Sequence, residues 1–330
     1  MRSPFDGRVG FSRLRSNSPF LQSLFSGADG FVLAPWDHQT MFQDVVGTIA
    51  ANAPGHPVGR GGNHVGNEYH AVRSVNDDYR PTIARHPGSG LRQNLNGTAD
   101  FSGFTFGGSG SGSNTLEVNS TTAPDGTLTA ARATFSAANQ VFTHALNLPS
   151  GDYTGSLWIK GVAGKTIRCR LSGGGEFTHS FNGSWEQISA SISGVVPTSF
   201  NISTWAGSTA RVVEIWHPQH EAGTAITPYQ KRVDRYDVTE TGQRDIWYLS
   251  DDQIDDELTV TLPDLGSDAT EFWADEGGVT INGAQTIGAG NRALPGSARL
   301  YAYGIIDRAF SALETARLQQ YLEMKSGAGS

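Results

Sequence analysis

Between residues 126 and 216 this chain is dominated by short runs in which apolar and polar residues alternate, each cut off by a glycine-bearing turn. "YTGSLWIKG" (153–161) and "KTIRCRLSG" (165–173) are the clearest pair, and "GEFTHSFNGSW", "SFNISTW" and "ARVVEIW" follow. Period-two alternation places one set of side chains on a buried face and the other on the opposite face of an extended strand. The 41 glycines among 330 residues exceed the usual share of roughly 7 % and punctuate the runs with turns. Such a chain folds as turn-linked β-sheets. The one convincing helical pattern is "DRAFSALETARLQQYLEMKSG" (307–327). Ser311 and Glu314 fit a capping box, Leu318, Tyr321 and Leu322 share a face, and Lys325 and Gly327 mark the end.

The length suits about two domains, each able to bury its own core. The 37 % hydrophobic share, with seven Trp and sixteen Phe, is that of a folded chain. A formal net charge of −8 argues against a general nucleic-acid or anionic-membrane binder. No apolar run approaches the roughly 20 residues that span a bilayer. The opening "MRSPFDGRVGFSRLRSNSPF" lacks the apolar centre of a secretory signal. Cys169 is the sole cysteine, so no intrachain disulfide can form, and synthesis in a reducing cytoplasm is expected. Action outside a cell then requires lysis or incorporation into a particle. Residues 1–30 set Arg2, Arg8, Arg13 and Arg15 against Asp6 and Asp29, which reads as a basic attachment arm or a disordered tail.

"HPQHEAGTAITPYQ" (217–230) offers His217, His220 and Glu221, a set that invites a zinc reading. A helical zinc motif needs its histidines one turn apart on a helix. Pro218 disfavours helical geometry for the residue before it, and in a strand His217 and His220 point to opposite faces. The stretch therefore reads as the close of a β domain, with no metal. The run Asp251, Asp252, Asp255, Asp256, Glu257 reads as a solvated turn, with a structural calcium as the alternative. No cofactor is expected. For catalysis, nothing singles out a carboxylate pair for glycoside hydrolysis. The "GSGSG" string (108–112) lacks the following helix that a nucleophile elbow needs. An enzyme is not expected.

A binding face emerges more readily from the same residues. If "GSLWIK" pairs with "TIRCRL" across the "GVAGK" turn, Trp158 stands opposite Arg168. Trp158, Lys160, Arg168 and Arg170 then share one face, and Leu157, Ile159, Ile167, Cys169 and Leu171 the other. Phe177 and His179 would join the polar face, with Phe181 beside them, and Trp205 in "TWAGST" is a second aromatic candidate. Aromatic rings stack on the C–H face of a sugar, and Arg and Lys make charge-assisted bonds to acidic ones. This face is expected to grip an anionic surface polysaccharide.

The middle of the chain resembles the jelly-roll carbohydrate-binding modules of phage structural proteins, through "RQNLNGTADFSGFTF" (92–106), "TTAPDGTLTA" (121–130), "LWIKG", "GSWEQIS" (183–189) and "IWHPQHEAGTAITPYQ". Trp216, Gln219, Glu221, Gly223, Thr227, Pro228 and Tyr229 fall on that family's closing motif, and His220 stands where it usually has Leu. The flanks resemble a concanavalin-A-like (laminin-G-like) sandwich, through "MFQDVVGTIAANAPGHPVG" (41–59), "HAVRSVNDDYRPTI" (70–83), "YDVTETGQRDIWYLSDDQIDDEL" (236–258) and the last helix. This chain has "NHVG" (63–66) for the family's Asp-Lys-Ser-Gly turn, and Asp251, Asp252 and Gln253 for its Phe-Asp-Gly. The resemblance implies an all-β chain of two sandwiches with a single C-terminal helix. A sandwich over 31–92 and 233–330 is split by a jelly roll over 93–232, an insertion that a loop tip tolerates. It further implies a homo-oligomeric spike or fibre on the surface of a phage or gene-transfer-agent particle. The arm would bind other virion proteins, and the jelly roll cell-surface polysaccharide. The alternatives are a non-binding spacer or decoration protein and a glycan hydrolase.

Overall fold

The computed structural model describes residues 18–66, 69–73, 80–92, 101, 103–108, 113–205 and 207–327. The chain divides into two compact units, residues 1–89 with 245–330 and residues 90–244. Both are β-structures, as the turn-punctuated alternation demands. No helix among the described residues is long and apolar enough to cross a membrane.

The first unit begins with α1 (Pro19–Leu24), β1 (Gly30–Leu33), β2 (Met41–Phe42), β3 (Arg60–Gly62), β4 (His70–Val72) and β5 (Thr82–Pro87). The second unit supplies β6 (Phe104–Gly108), β7 (Thr115–Thr121), β8 (Ala130–Thr134), β9 (Gln140–Ala145), β10 (Gly151–Gly161) and β11 (Thr166–Leu171). It continues with β12 (Gly175–Ser180), β13 (Glu186–Val195), β14 (Ser199–Ser203), β15 (Val212–Ala222), β16 (Gln230–Arg232) and β17 (Val238–Glu240). The chain then returns to the first unit as β18 (Asp245–Ser250), β19 (Thr259–Leu262), β20 (Gly266–Asp275), β21 (Gly278–Ile287), β22 (Gly290–Ala293), β23 (Ala302–Ile306) and α2 (Ala312–Ser326).

In the first unit a sheet of order β1-β23-β20-β21 and one of order β2-β3-β4-β19-β22 bury a shared core. Phe31, Leu33, Tyr303 and Ile305 come from one sheet, and Met41, Ala71, Val260 and Leu262 from the other. Gly61 marks how closely they meet: a Cβ there would lie 2.1 Å from Leu33 Cδ1. The α2 helix packs on β18, β20 and β21, burying Leu318 and Leu322. Its Ser311–Glu314 capping box forms, and Gly327 ends it in the left-handed conformation at φ 79°. Arg308 adds to the cap, so the Glu314 carboxyl is held down at about 2, first by Arg308 and then by the Ser311 amide and hydroxyl.

The single C-terminal helix forms as expected, and one expectation is corrected here. Ser18 caps the short α1 by accepting from the Leu21 amide, and Pro19 fits its first turn. The 1–30 stretch is accordingly not all arm, since Leu21, Leu24 and Phe25 are buried and β1 starts at Gly30. Arg2, Arg8, Arg13 and Arg15 lie outside the described residues, as does most of the "GSGSG" string.

The second unit is a jelly-roll sandwich of two five-stranded antiparallel sheets, β13-β10-β15-β8-β7 and β12-β11-β14-β9-β6. Leu157, Ile159, Ile188, Val213 and Ile215 of the first meet Ile167, Cys169, Leu171, Phe142, Phe200 and Ile202 of the second. Burial pushes the Cys169 thiol up to about 12. Two histidines share this core: His220 is 2 % exposed and stacks on His144 with ring centroids 5.3 Å apart and planes at 9°. The Phe200 ring meets His220 edge-on, and Gly155 opposite is the residue that fits, because a Cβ there would strike Phe200 and His220. A Leu at position 220 would fill this place without titrating.

Burial lowers both imidazoles, His220 to about 3 with the neighbouring His144 adding to the effect. A folded value below the unfolded one means that the unfolded chain takes up the proton first, so stability is complete above about pH 6.5 and falls as the pH drops below it. Chemical denaturation at pH 7 and pH 5 should show the second unit losing about 2 kcal/mol from His220 alone. The H220L variant should show a flatter pH profile.

Candidate functional site

The hairpin that sequence alternation suggested between "GSLWIK" and "TIRCRL" does not form. β10 pairs with β13 and β15, whereas β11 pairs with β12 and β14 in the other sheet. The "GVAGK" segment therefore crosses between sheets. Each strand alternates as read, but the outward faces of β10 and β11 lie on opposite sides of the sandwich. Trp158 is opposed by Gln187 and Trp216, and Arg168 by Thr178 and Ser203. Arg168 and Arg170 pair instead with Glu176 of β12. Phe177 and His179 are corrected as well, since they register with Cys169 and Ile167 and so turn toward the core side. Phe177 packs on the core, Phe181 belongs to it, and His179 sits edge-on to Phe181 and 3.2 Å from Glu186. Trp205 stands 36 % exposed in the loop between β14 and β15, outside the cluster that holds Trp158.

The outward face of the β13-β10-β15-β8-β7 sheet holds the features that suit a ligand. Trp158 and Trp216 are direct cross-strand neighbours, and Trp185, just before β13, joins them in a cluster with Ala123 and Ala130. Trp216 is nearly buried and donates from Nε1 to Thr129 Oγ1 at 3.0 Å. Trp185 donates to the Thr122 carbonyl at 3.3 Å. Both acceptors lie on the 122–129 loop, which is tied down from within. Asp125 accepts from the Thr127 hydroxyl (2.7 Å) and amide (3.0 Å), and these contacts hold its carboxyl below the usual range. Trp158 and Trp185 are half-buried, Trp185 held by its hydrogen bond and Trp158 by packing in the cluster, while part of each indole meets solvent. Gln187 and Ser189 on β13 share this face.

The next row is charged. Lys160, Glu214, Arg132 and Glu117 are successive register partners across β10, β15, β8 and β7. Lys160 Nζ lies 2.9 Å and Arg132 3.6 Å from the Glu214 carboxylate, and Lys160 stands 5.8 Å over the Trp185 ring. Burial pushes Glu214 up, but Lys160, a Thr121 hydroxyl bond and Arg132 outweigh it, leaving the carboxyl lowered. Two positive and two negative groups balance, so this face is not the cationic one expected.

His217 owes its place to a β-bulge. The register slips by one residue between Trp158↔Trp216 and Ser156↔Gln219, and His217 takes the left-handed conformation at φ 50°. Its ring stacks between Trp216 (3.3 Å) and Tyr229 (3.7 Å), and burial lowers it to about 3, Asp125 acting the other way. His220, past the bulge, faces the core. Glu221 is 2 % exposed and accepts from the Thr227 amide (2.9 Å), the Thr227 hydroxyl (3.1 Å) and Gln219 Nε2. Gln219 accepts from the Gln230 amide. Gln230 donates to the Gly90 carbonyl and Glu240, and Arg92 binds both Gln230 and Glu240. The 217–230 stretch thus closes the second unit. These bonds also carry β16 and β17 with it, so the unit runs to 244 rather than ending at 232.

In the first unit Asp251, Asp252 and Asp256 bring carboxylate oxygens within 4.8 Å of one another, without Asp255 or Glu257. Burial and mutual repulsion raise Asp251 and Asp256. Each carboxylate accepts amides of its own turn, from Gln253, Ile254, Asp255 and Asp252. The adjoining cavity holds about 20 Å³, room for one water.

No protein-family model matches this chain, and no curated protein sequence matches it. Solved structures do show similarity. One is the enzymatically active domain of tailspike protein 4 of bacteriophage CBA120, at 12 % identity and TM-score 0.28, covering 41 % of this chain and 21 % of that one. A second is the CBM22-1–GH10 portion of the Clostridium thermocellum xylanase 10B with xylohexaose, at 16 % identity and TM-score 0.29, covering 39 % and 28 %. A third is the module TmCBM61 with β-1,4-galactotriose, at 17 % identity and TM-score 0.28, covering 42 % and 99 %. The chain spans less than a third of the first two.

The closure network yields a stability test. Glu221→Ala strips acceptors from Thr227 and Gln219 inside a buried network, and should cost about 2–4 kcal/mol in chemical denaturation. Gly223→Ala strains a left-handed turn at φ 96° and should cost about 1 kcal/mol.

Proposed function

We propose that this protein binds polysaccharide on the outward face of the β13-β10-β15-β8-β7 sheet, as the adsorption module of a virion spike or fibre. One observation carries the binding reading: two partly exposed indoles, Trp158 and Trp185, are anchored beside hydroxyl and amide side chains on one sheet face. An indole whose edges are fixed within the protein offers a rigid, flat apolar surface at little entropic cost. A pyranose ring presents a C–H face that fits it, and its hydroxyls can reach groups such as Gln187 and Ser189. The virion role is supported by the sequence resemblance to phage jelly rolls, and attachment through the N-terminal arm by the basic residues Arg2, Arg8, Arg13 and Arg15.

Magnitudes favour many copies. Burying about 60 Å² of sugar at ~25 cal/mol/Å² contributes about 1.5 kcal/mol. With a few exposed hydrogen bonds a single site reaches millimolar affinity, about 4 kcal/mol. Display in several copies multiplies this by roughly 10²–10⁴, so a homo-oligomer on a particle is the setting in which such a face works. The role proposed is binding rather than hydrolysis, and incubation with a bound glycan should leave its chain length unchanged.

Trp158→Ala should weaken glycan binding about tenfold, the equivalent of the platform's contribution, in affinity electrophoresis or calorimetry. Trp205→Ala, outside the Trp158 cluster, should leave it unchanged. Equal loss in both variants, or none in either, would sink the assignment. Immunogold microscopy of purified particles tests the virion role.

A further inference from the structure

The charged row beside the indoles bears on which sugars the face accepts. Lys160 and Arg132 are the cations nearest Trp158 and Trp185 in the sheet register, and Glu214 on the intervening strand contacts both, at 2.9 Å and 3.6 Å. Glu117 opposes Arg132 from the other side. His217 is sandwiched between Trp216 and Tyr229 and is uncharged near neutral pH, and the charge of Lys231 beside it is countered there by Asp125. An acidic sugar needs a cation to offset the desolvation of its carboxylate. Here an internal carboxylate already occupies that position relative to Lys160, and it would repel a second one.

We infer that Glu214 is the specificity-determining residue of the Trp158 face: by holding both Lys160 and Arg132 it restricts the face to uncharged sugars. The inference rests on the glycan-binding reading above. It reverses the expectation of an anionic ligand, which depended on Arg168 and Arg170 standing beside Trp158. Those arginines lie on the other sheet with Glu176.

The test uses the full chain on an array of hydroxyethyl cellulose, dextran, galactan and xylan, each beside its carboxymethyl derivative, at low and high salt. Wild type should bind among the neutral members with little salt dependence, and W158A should lose that signal. E214Q, checked for a wild-type melting profile, should gain about tenfold on carboxymethyl members, and that gain should vanish at high salt. The inference alone falls if wild type prefers carboxymethyl members through Trp158, or if folded E214Q gains none of them. If E214Q does not fold, the neutral-to-acidic ratio of the wild type and its salt dependence decide. Absence of Trp158-dependent binding to every member overturns the binding reading itself, and this inference with it.

Discussion

The pairing of β10 with β15 is the contact on which the second unit depends. Both strands are central in their sheet, and their register fixes two rows at once. On the inner side it sets Ile159 on Ile215 within the core, and on the outer side Trp158 on Trp216 and Lys160 on Glu214. Shifting such a register by one residue would send the apolar set outward, so core burial enforces the arrangement of the outer face. The aromatic pair and the charge row are consequences of packing on the reverse side of the same strands.

The bulge at His217 reconciles two demands on β15. Before it, the strand must keep Val213 and Ile215 inward. After it, Gln219 and Glu221 must face outward to meet the chain as it folds back through Thr227 and Gln230. One added residue restores that phase, and the left-handed backbone this imposes on His217 is compensated by stacking on two rings. The buried polar network that follows is built from groups between Gly90 and Glu240, in keeping with a unit bounded at 90 and 244.

Charge on the sandwich is arranged in local balance. Arg168 and Arg170 share Glu176, Lys160 and Arg132 share Glu214, and Arg85 meets Asp245 in the first unit. Exposed pairs of this kind contribute little to stability, at about 0–1 kcal/mol each. Their consequence is for recognition, because a cation already facing a carboxylate is a poor receptor for another. An aromatic surface with its neighbouring charges cancelled discriminates by shape and hydroxyl pattern.

Much of the fold was legible in the residues. Alternation in "YTGSLWIKG" and "KTIRCRLSG" correctly divided inward from outward side chains, Ser311 and Glu314 marked the helix start, and "HPQHEAGTAITPYQ" read as a closing stretch. These follow from local rules, namely side-chain direction in a strand and hydrogen bonding at a helix end. The residues could not say which strand lies beside which, because period two is the same whatever the neighbour. Adjacency along the chain suggested a β10–β11 hairpin, but sandwich closure sent those strands to different sheets, separating Trp158 from Arg168 and joining it to Trp216. A hint lay in the matching order of "LWIK" and "VEIW", whose antiparallel overlay sets Trp on Trp and Lys on Glu. Residue order was enough to dictate an all-β chain and the inward side of each strand. Which outward faces meet was left to long-range packing, because that depends on contacts between segments tens of residues apart.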